Sequence, residues 1–221
     1  MTYIQYVGFA PSVHDLSELS CAPMATQAER TAATTGKLID TAIQLFTEKG
    51  FANTSNDDIA SAAGVTRGAL YHHFADKRDL FIAAFDKLQQ GIEAASRKVG
   101  SFSKDADPIE VFIKGCRLYL DVCSRDRAVA RIVLMDGPTV IGPETWYQLD
   151  AAYADASIGR SLRRLEEVGA IRAGLDLTVI AVMINGALND AALWLAQSGA
   201  KKATFDRAEA ALRALVGGLT P

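Results

Sequence analysis

From residue 34 onward apolar residues recur at intervals of three and four, with polar residues between them. Leu38, Ala42, Leu45 and Phe46 mark one face of a helix that Gly50 ends. Thr54, with Asp57 three residues on, has capping-box spacing for a short helix carrying Ile59 and Ala63. Gly64 closes that helix, and Thr66 is the expected cap of the next, with Leu70 turned inward. Two short helices joined through a glycine-containing turn form a helix-turn-helix pattern.

Asp76 and Asp79 flank the start of a longer helix whose apolar stripe is Phe81, Phe85, Leu88, Ile92, Ala95 and Val99. The stretch GSFSKDADP breaks it, and Pro108 suits a new first turn. Val111, Phe112, Leu118, Tyr119 and Val122 form the next stripe. Val129, Ile132, Val133 and Met135 predict a short helix ended by DGP. Longer helices are expected over 143–168 and 176–197, and an amphipathic one over 204–216. No strand-like alternation competes, so the expected fold is all-α with about nine helices.

Residues 1–30 show no periodicity and carry Pro11 and Pro23. They are expected to form a disordered extension. Met24 opens MATQAERTAATTGK, which has the look of a more usual beginning.

The chain has 221 residues and a formal charge of −3, so a global basic field is excluded as the basis of anion binding. Cys116 and Cys123 are seven residues apart on one predicted helix, about 10 Å at 1.5 Å per residue, too far to bridge. With Cys21 the count is odd and no Cys-x-x-Cys pair occurs, which suits a reducing cytoplasm. No run of about 18 uncharged apolar residues appears, so no membrane partner is expected.

The stretch GVTRGALYHHF, from Gly64 to Phe74, concentrates the candidate chemistry. His72 and His73 are adjacent and point about 100° apart on a helix, so they do not share a metal. No third ligand lies nearby, and no nucleophile–base motif occurs, so no metal, cofactor or catalytic site is expected. The other reading is recognition. Thr66, Arg67, Gly68 and Ala69 form a small-residue first turn with one forked cation, suited to a base edge. Tyr71, His72 and His73 supply hydrogen-bonding groups that reach phosphates without net charge, Lys77 adds a cation near the same edge, and Thr54 stands beside the backbone N–H groups that open the preceding helix.

The segment Thr34–Phe81 closely resembles the N-terminal DNA-binding domain of TetR/AcrR-family transcriptional regulators. The resemblance rests on AIQLF…KGF, DDIASAAGVTRGALYHHF and DKRDL. It implies DNA contacts at Thr54, Ser55, Thr66, Arg67, Ala69, Tyr71, His72, His73 and Lys77, with Arg67 and Ala69 reading bases. Two positions depart from the family pattern: Thr35, where many relatives carry arginine, and Asn56, where many carry an apolar residue. Asn56 either sits unsatisfied near the small core or faces water beside the cap.

The same resemblance divides the chain into an extension (1–30), a helix-turn-helix domain (31–75) and a C-terminal ligand-binding and dimerisation domain (76–221). It implies a repressor that binds a palindromic operator on double-stranded DNA as a homodimer through its last two helices, about 176–198 and 204–217. A small-molecule effector would occupy a pocket with candidate liners Cys116, Tyr119, Cys123, Trp146, Tyr153, Met183, Asn185 and Trp194. Each of these also suits plain core, and Cys116 and Cys123 are further candidates for redox sensing. The rival reading is a helical-bundle enzyme or carrier whose N-terminal helices are only structural.

Overall fold

The computed structural model describes residues 26–99 and 106–221. Residues from 35 onward form one compact unit, distinct from the segment before it. Residues 1–25 of the expected extension (1–30), with Cys21, and the break just after residue 99 lie outside the described residues, as does the Val99 side chain.

All elements among the described residues are helical. Helix α1 (Gln27–Lys49) begins earlier than its apolar periodicity suggests. A capping box sets that start: Thr26 N–H donates to Glu29 Oε2 (2.6 Å), and Glu29 N–H to Thr26 Oγ1 (3.2 Å). Residues 27–30 are therefore helix rather than extension.

Two short helices follow, α2 (Asn56–Ala62) and α3 (Arg67–His73), then the long α4 (Lys77–Val99). Leu38, Phe46, Ile59, Leu70, Leu80 and Phe81 form their common buried core. Phe46, Phe51 and Phe81 meet pairwise at ring distances of 5.3–5.5 Å, fixing the end of α1 against α4.

Helix α5 (Pro108–Arg125) starts at an Asp107 cap whose Oδ1 accepts from Ile109 N–H at 2.8 Å. Val129–Asp136 is a π-helical segment that runs directly into α6 (Gly137–Ile141), so DGP does not end the helix as expected. Pro138 lies in the first turn of α6, and the carbonyl five residues before it, that of Val133, accepts the Trp146 indole N–H. The chain turns instead at Gly142, with φ +92°. The long helix expected over 143–168 is α7 (Pro143–Ala154) and α8 (Arg160–Glu167), joined by a π-helical turn, Asp155–Gly159.

Helices α9 (Leu177–Gln197) and α10 (Lys202–Gly217) complete the chain, and α5 packs along α9. Arg213 of α10 reaches Glu110 of α5 (Nη2 to Oε2, 2.9 Å), and Arg117 of α5 bonds Glu209 of α10. Among the described residues, α9 alone is long and apolar enough to cross a membrane. It packs against α5 and α7 and buries Asn185 and Asn189, which bond a carboxylate on α7.

Candidate functional site

The turn that positions α3 is built locally. Ser55, not Thr54, caps α2: its Oγ accepts from Asp58 N–H (3.0 Å), and its own N–H donates to Asp58 Oδ2 (3.0 Å). The capping box thus lies one residue later than the Thr54–Asp57 spacing suggests. Thr54 is 1% exposed, and its hydroxyl donates inward to the carbonyls of Gly50 (2.9 Å) and Leu45 (3.3 Å). Its side chain is therefore part of the small core and is not presented to a phosphate.

Helix α2 ends in a Schellman motif, with Gly64 N–H to Ser61 O and Val65 N–H to Ala60 O, both 3.0 Å. Gly64 supplies the left-handed φ of +63° that this closure needs. Thr66 then caps α3, its Oγ1 accepting from Ala69 N–H at 3.1 Å. Leu70 and Phe74 anchor α3 in the core, leaving Thr66, Arg67, Gly68, Tyr71 and His72 exposed on one surface. Ala69 and His73 are half-buried beside them.

This surface is ordered by its own contacts. Arg67 Nη1 bonds Asp57 Oδ2 at 3.0 Å, and its guanidinium carbon lies 5.5 Å from the Tyr71 ring centroid. Asn56 Nδ2 donates to Tyr71 Oη at 3.0 Å. The Asn56 amide, and after it Arg67, hold the Tyr71 phenol below its ordinary range. Asn56 itself is half-buried, with a buried Oδ1 that has no hydrogen-bond partner among the described residues, so it does not simply face water. His73 Nδ1 and Thr35 Oγ1 are hydrogen-bonded at 3.1 Å, which joins α3 to α1.

Lys77 departs from the expected phosphate hook. Its ammonium donates to the carbonyls of Phe51 and Thr54, each at 2.8 Å, and lies 4.2 Å from the Phe51 ring centroid. It closes the turn between α1 and α2, using two of its three donors.

A second feature lies among α4, α5, α7, α8 and α9: a cavity of about 1160 Å³. Of the eight expected liners, Cys116, Tyr119, Tyr153 and Asn185 face it. The other four do not. Cys123 is buried behind Tyr119. Trp146 donates its indole N–H to Val133 O (2.9 Å) and borders a separate void of about 70 Å³. Met183 is 68% exposed, and Trp194 lies on the outside of α9 beneath the Arg207 guanidinium.

Burial pushes the Cys116 and Cys123 thiols up to about 12, a setting that does not suit a thiolate sensor.

Of the polar floor of the cavity, sequence reasoning named Asn185 but missed Asp150, Gln89 and Asn189. Asp150 is buried and accepts from Gln89 Nε2 (3.2 Å), Asn185 Nδ2 (2.6 Å) and Asn189 Nδ2 (3.0 Å). Tyr119 Oη donates to Asn189 Oδ1. Burial raises the Asp150 carboxyl above the ordinary carboxylate range, with the three amides acting in the opposite sense. The available signal was an acidic residue inside an otherwise apolar helical stripe, and it does not reveal which amides will meet it.

Helix α4 links the two regions. Near its start Arg78 donates to the carbonyls of Val140 (3.1 Å) and Ile141 at the end of α6. Midway, Asp86 accepts from Tyr153 Oη at 2.8 Å, and Gln89 reaches Asp150. The Arg131 guanidinium, bonded to Asp136 at 2.9 Å, occupies the space beside Gly50 where a side chain would start.

Comparison with known proteins agrees with this arrangement. Residues 38–84 match the family described as bacterial regulatory proteins, tetR family, and residues 109–219 match the tetracyclin repressor-like C-terminal domain. The HTH-type transcriptional regulator CymR of Pseudomonas putida is 47% identical over 98 residues, 43% of this chain. That match spans about half (48%) of the relative's length. The probable acrEF/envCD operon repressor of Escherichia coli K12 is 30% identical over 69% of this chain and 71% of its own. A crystal structure of a TetR-family transcriptional regulator from Pectobacterium atrosepticum is 32% identical, with a TM-score of 0.70 over 89% of this chain and 98% of that one. With matches on both its helix-turn-helix and its C-terminal region, the chain belongs to the TetR family of DNA-binding transcriptional regulators.

Proposed function

We propose that this regulator is a cytoplasmic repressor that binds a palindromic operator as a homodimer and releases it when a small molecule enters the cavity. The exposed surface of α3 carries the proposal. Arg67 and Ala69 read base edges in the major groove, while Ser55, Thr66, Tyr71, His72 and His73 hold phosphates. Thr54 and Lys77 serve as supports for that surface, in keeping with their inward bonds. Functionally, residues 31–75 are the reading domain and 76–221 the responsive one.

Two copies are required because one α3 covers only a half-site, and half-site centres stand about 34–36 Å apart. The outer face of α9 supports pairing through the last two helices. Val179, Met183 and Trp194 are exposed there in helical register, with Gly186 between them, and Leu215 is exposed on α10. An apolar stripe with a small residue at its middle permits close helix packing in a four-helix interface.

Helix α4 is the lever. It holds Arg78 at the reading end and Asp86 and Gln89 at the cavity. A ligand that favours one α4 position by about 1.4 kcal/mol changes operator occupancy about tenfold.

Selection of bound sequences from a random DNA pool by the full chain tests the reading. The expected product is an inverted repeat with half-sites one helical turn apart, bound as a dimer. Enrichment of a single unrepeated site, or of none, rejects it.

A further inference from the structure

The chemistry at the floor of the cavity points to the class of ligand, taking the cavity as the effector site proposed above. Asp150 comes from α7, Gln89 from α4, and Asn185 and Asn189 from α9. All three donors are neutral amides, and among the described residues no lysine or arginine forms an ion pair with Asp150. The buried carboxyl is therefore hydrogen-bonded but has no ion-pair partner among the described residues.

An ionised carboxylate offers about four lone-pair positions, and three are taken. The open one is on Oδ1, whose single bond, from Gln89, is the longest of the set at 3.2 Å. A donor arriving from the cavity has a place at Oδ1, or displaces Gln89.

The remaining lining sorts by depth. Ile92, Phe112 and Leu188 are buried apolar residues of the wall. Arg160, Arg163, Arg164 and Glu167 are exposed at the opening, and Arg163 is already bonded to Asp155 at 3.0 Å. Charges at the opening are screened by water and salt over about 8–10 Å, whereas a charge beside Asp150 acts in a drier setting and counts for more. An anionic head at the floor would meet an uncompensated carboxylate. A cationic donor there would supply the missing counter-charge.

We propose that the effector is an organic cation, an ammonium group on an apolar or aromatic body, whose N–H bonds Asp150 Oδ1 while its body lies against Ile92, Phe112 and Leu188. Because Gln89 sits on α4, competition for Oδ1 acts directly on the lever.

The test uses three probes with one ring system: 2-(1-naphthyl)ethylammonium, 2-(1-naphthyl)ethanol and 1-naphthylacetate. Calorimetry on the full-length protein without DNA should show the ammonium binding about tenfold or more tighter than either other probe. Asp150→Asn should remove that advantage, bringing the ammonium to within a few-fold of the alcohol. Should Asp150→Asn fail to fold, Gln89→Ala decides instead: by freeing Oδ1 it should strengthen ammonium binding.

Equal or tighter binding of the carboxylate overturns the proposal. So does an unchanged ammonium preference in Asp150→Asn, weaker ammonium binding in Gln89→Ala, or no binding of any probe at millimolar concentration. Operator binding is measured separately with each probe. Ammonium preference without a change in DNA affinity supports the ligand class and rejects the effector role of the cavity. Release of DNA by the carboxylate alone rejects the ligand class and keeps the effector role.

Discussion

Arg67 Nη1 and Asp57 Oδ2 lie 3.0 Å apart on the surface of the helix-turn-helix, with 63% and 64% of their side chains exposed. An ion pair this exposed adds little stability. Its effect is to aim the guanidinium, which also rests over Tyr71. Arg67→Ala is expected to relax base preference at one position per half-site, at a cost of about 1–3 kcal/mol for the preferred base. Asp57→Ala should soften the same position without erasing it, because the Tyr71 contact remains. Affinities for operators carrying every base at each half-site position measure both. Unchanged preference in Arg67→Ala would show that another residue reads the sequence.

Lys77 holds two carbonyls of the α1–α2 turn, so its loss should appear in folding before it appears in DNA binding. Lys77→Ala is expected to destabilise the protein by roughly 1.5–3 kcal/mol, the range for hydrogen bonds to a charged group. Denaturant midpoints read this directly. The salt dependence of operator binding should stay as in the wild type. A shallower slope, by about 0.9 in log–log form, with unchanged stability would instead place the ammonium on a phosphate.

Cys116 and Cys123 are buried, and burial holds both thiols up near about 12. Only the thiolate is an effective nucleophile, so neither side chain should react at mildly alkaline pH while the protein is folded. Iodoacetamide treatment followed by peptide mass spectrometry should find both unmodified in the native state and both alkylated in strong denaturant. Native-state labelling at either residue would reopen a sensing role.

Asp150 gives a pH signature of definite sign. Burial raises its folded-state pKa above the unfolded value, so the folded protein holds that proton more tightly. Its contribution to stability is fully present below the unfolded pKa, about 3.9, and is lost as pH rises through the raised folded value. The stability of the wild type relative to Asp150→Asn should therefore fall as pH increases from about 4 toward neutrality. Carboxylates shifted the other way, such as Asp58 beside Ser55, cancel in this difference. A difference that grows with pH would mean that the amides outweigh burial.

Much of this molecule is determined locally, and that part was open to reading from the residues. The apolar steps at three and four mark the helices, because an amphipathic helix buries one face whatever it packs against. Gly64 and Thr66 specify the turn and the start of α3 through backbone geometry and one side-chain bond, both within five residues. The exposed chemistry of Arg67, Tyr71 and His72 followed from the same short stretch.

Tertiary structure alone decided which way ambiguous side chains turn. Thr54 and Lys77 have the composition of a phosphate site, yet carbonyls at Leu45, Gly50 and Phe51 claim their donors. Met183 and Trp194 look like pocket residues, yet α5 and α7 pack against other faces of α9 and leave these two outside. Asp150 meets Gln89, Asn185 and Asn189 across separations of 35 to 61 residues, and no local pattern encodes such a meeting. Periodicity assigns residues to a face of their own helix, but what that face meets depends on how distant helices pack, and there the cavity and its buried charge were decided.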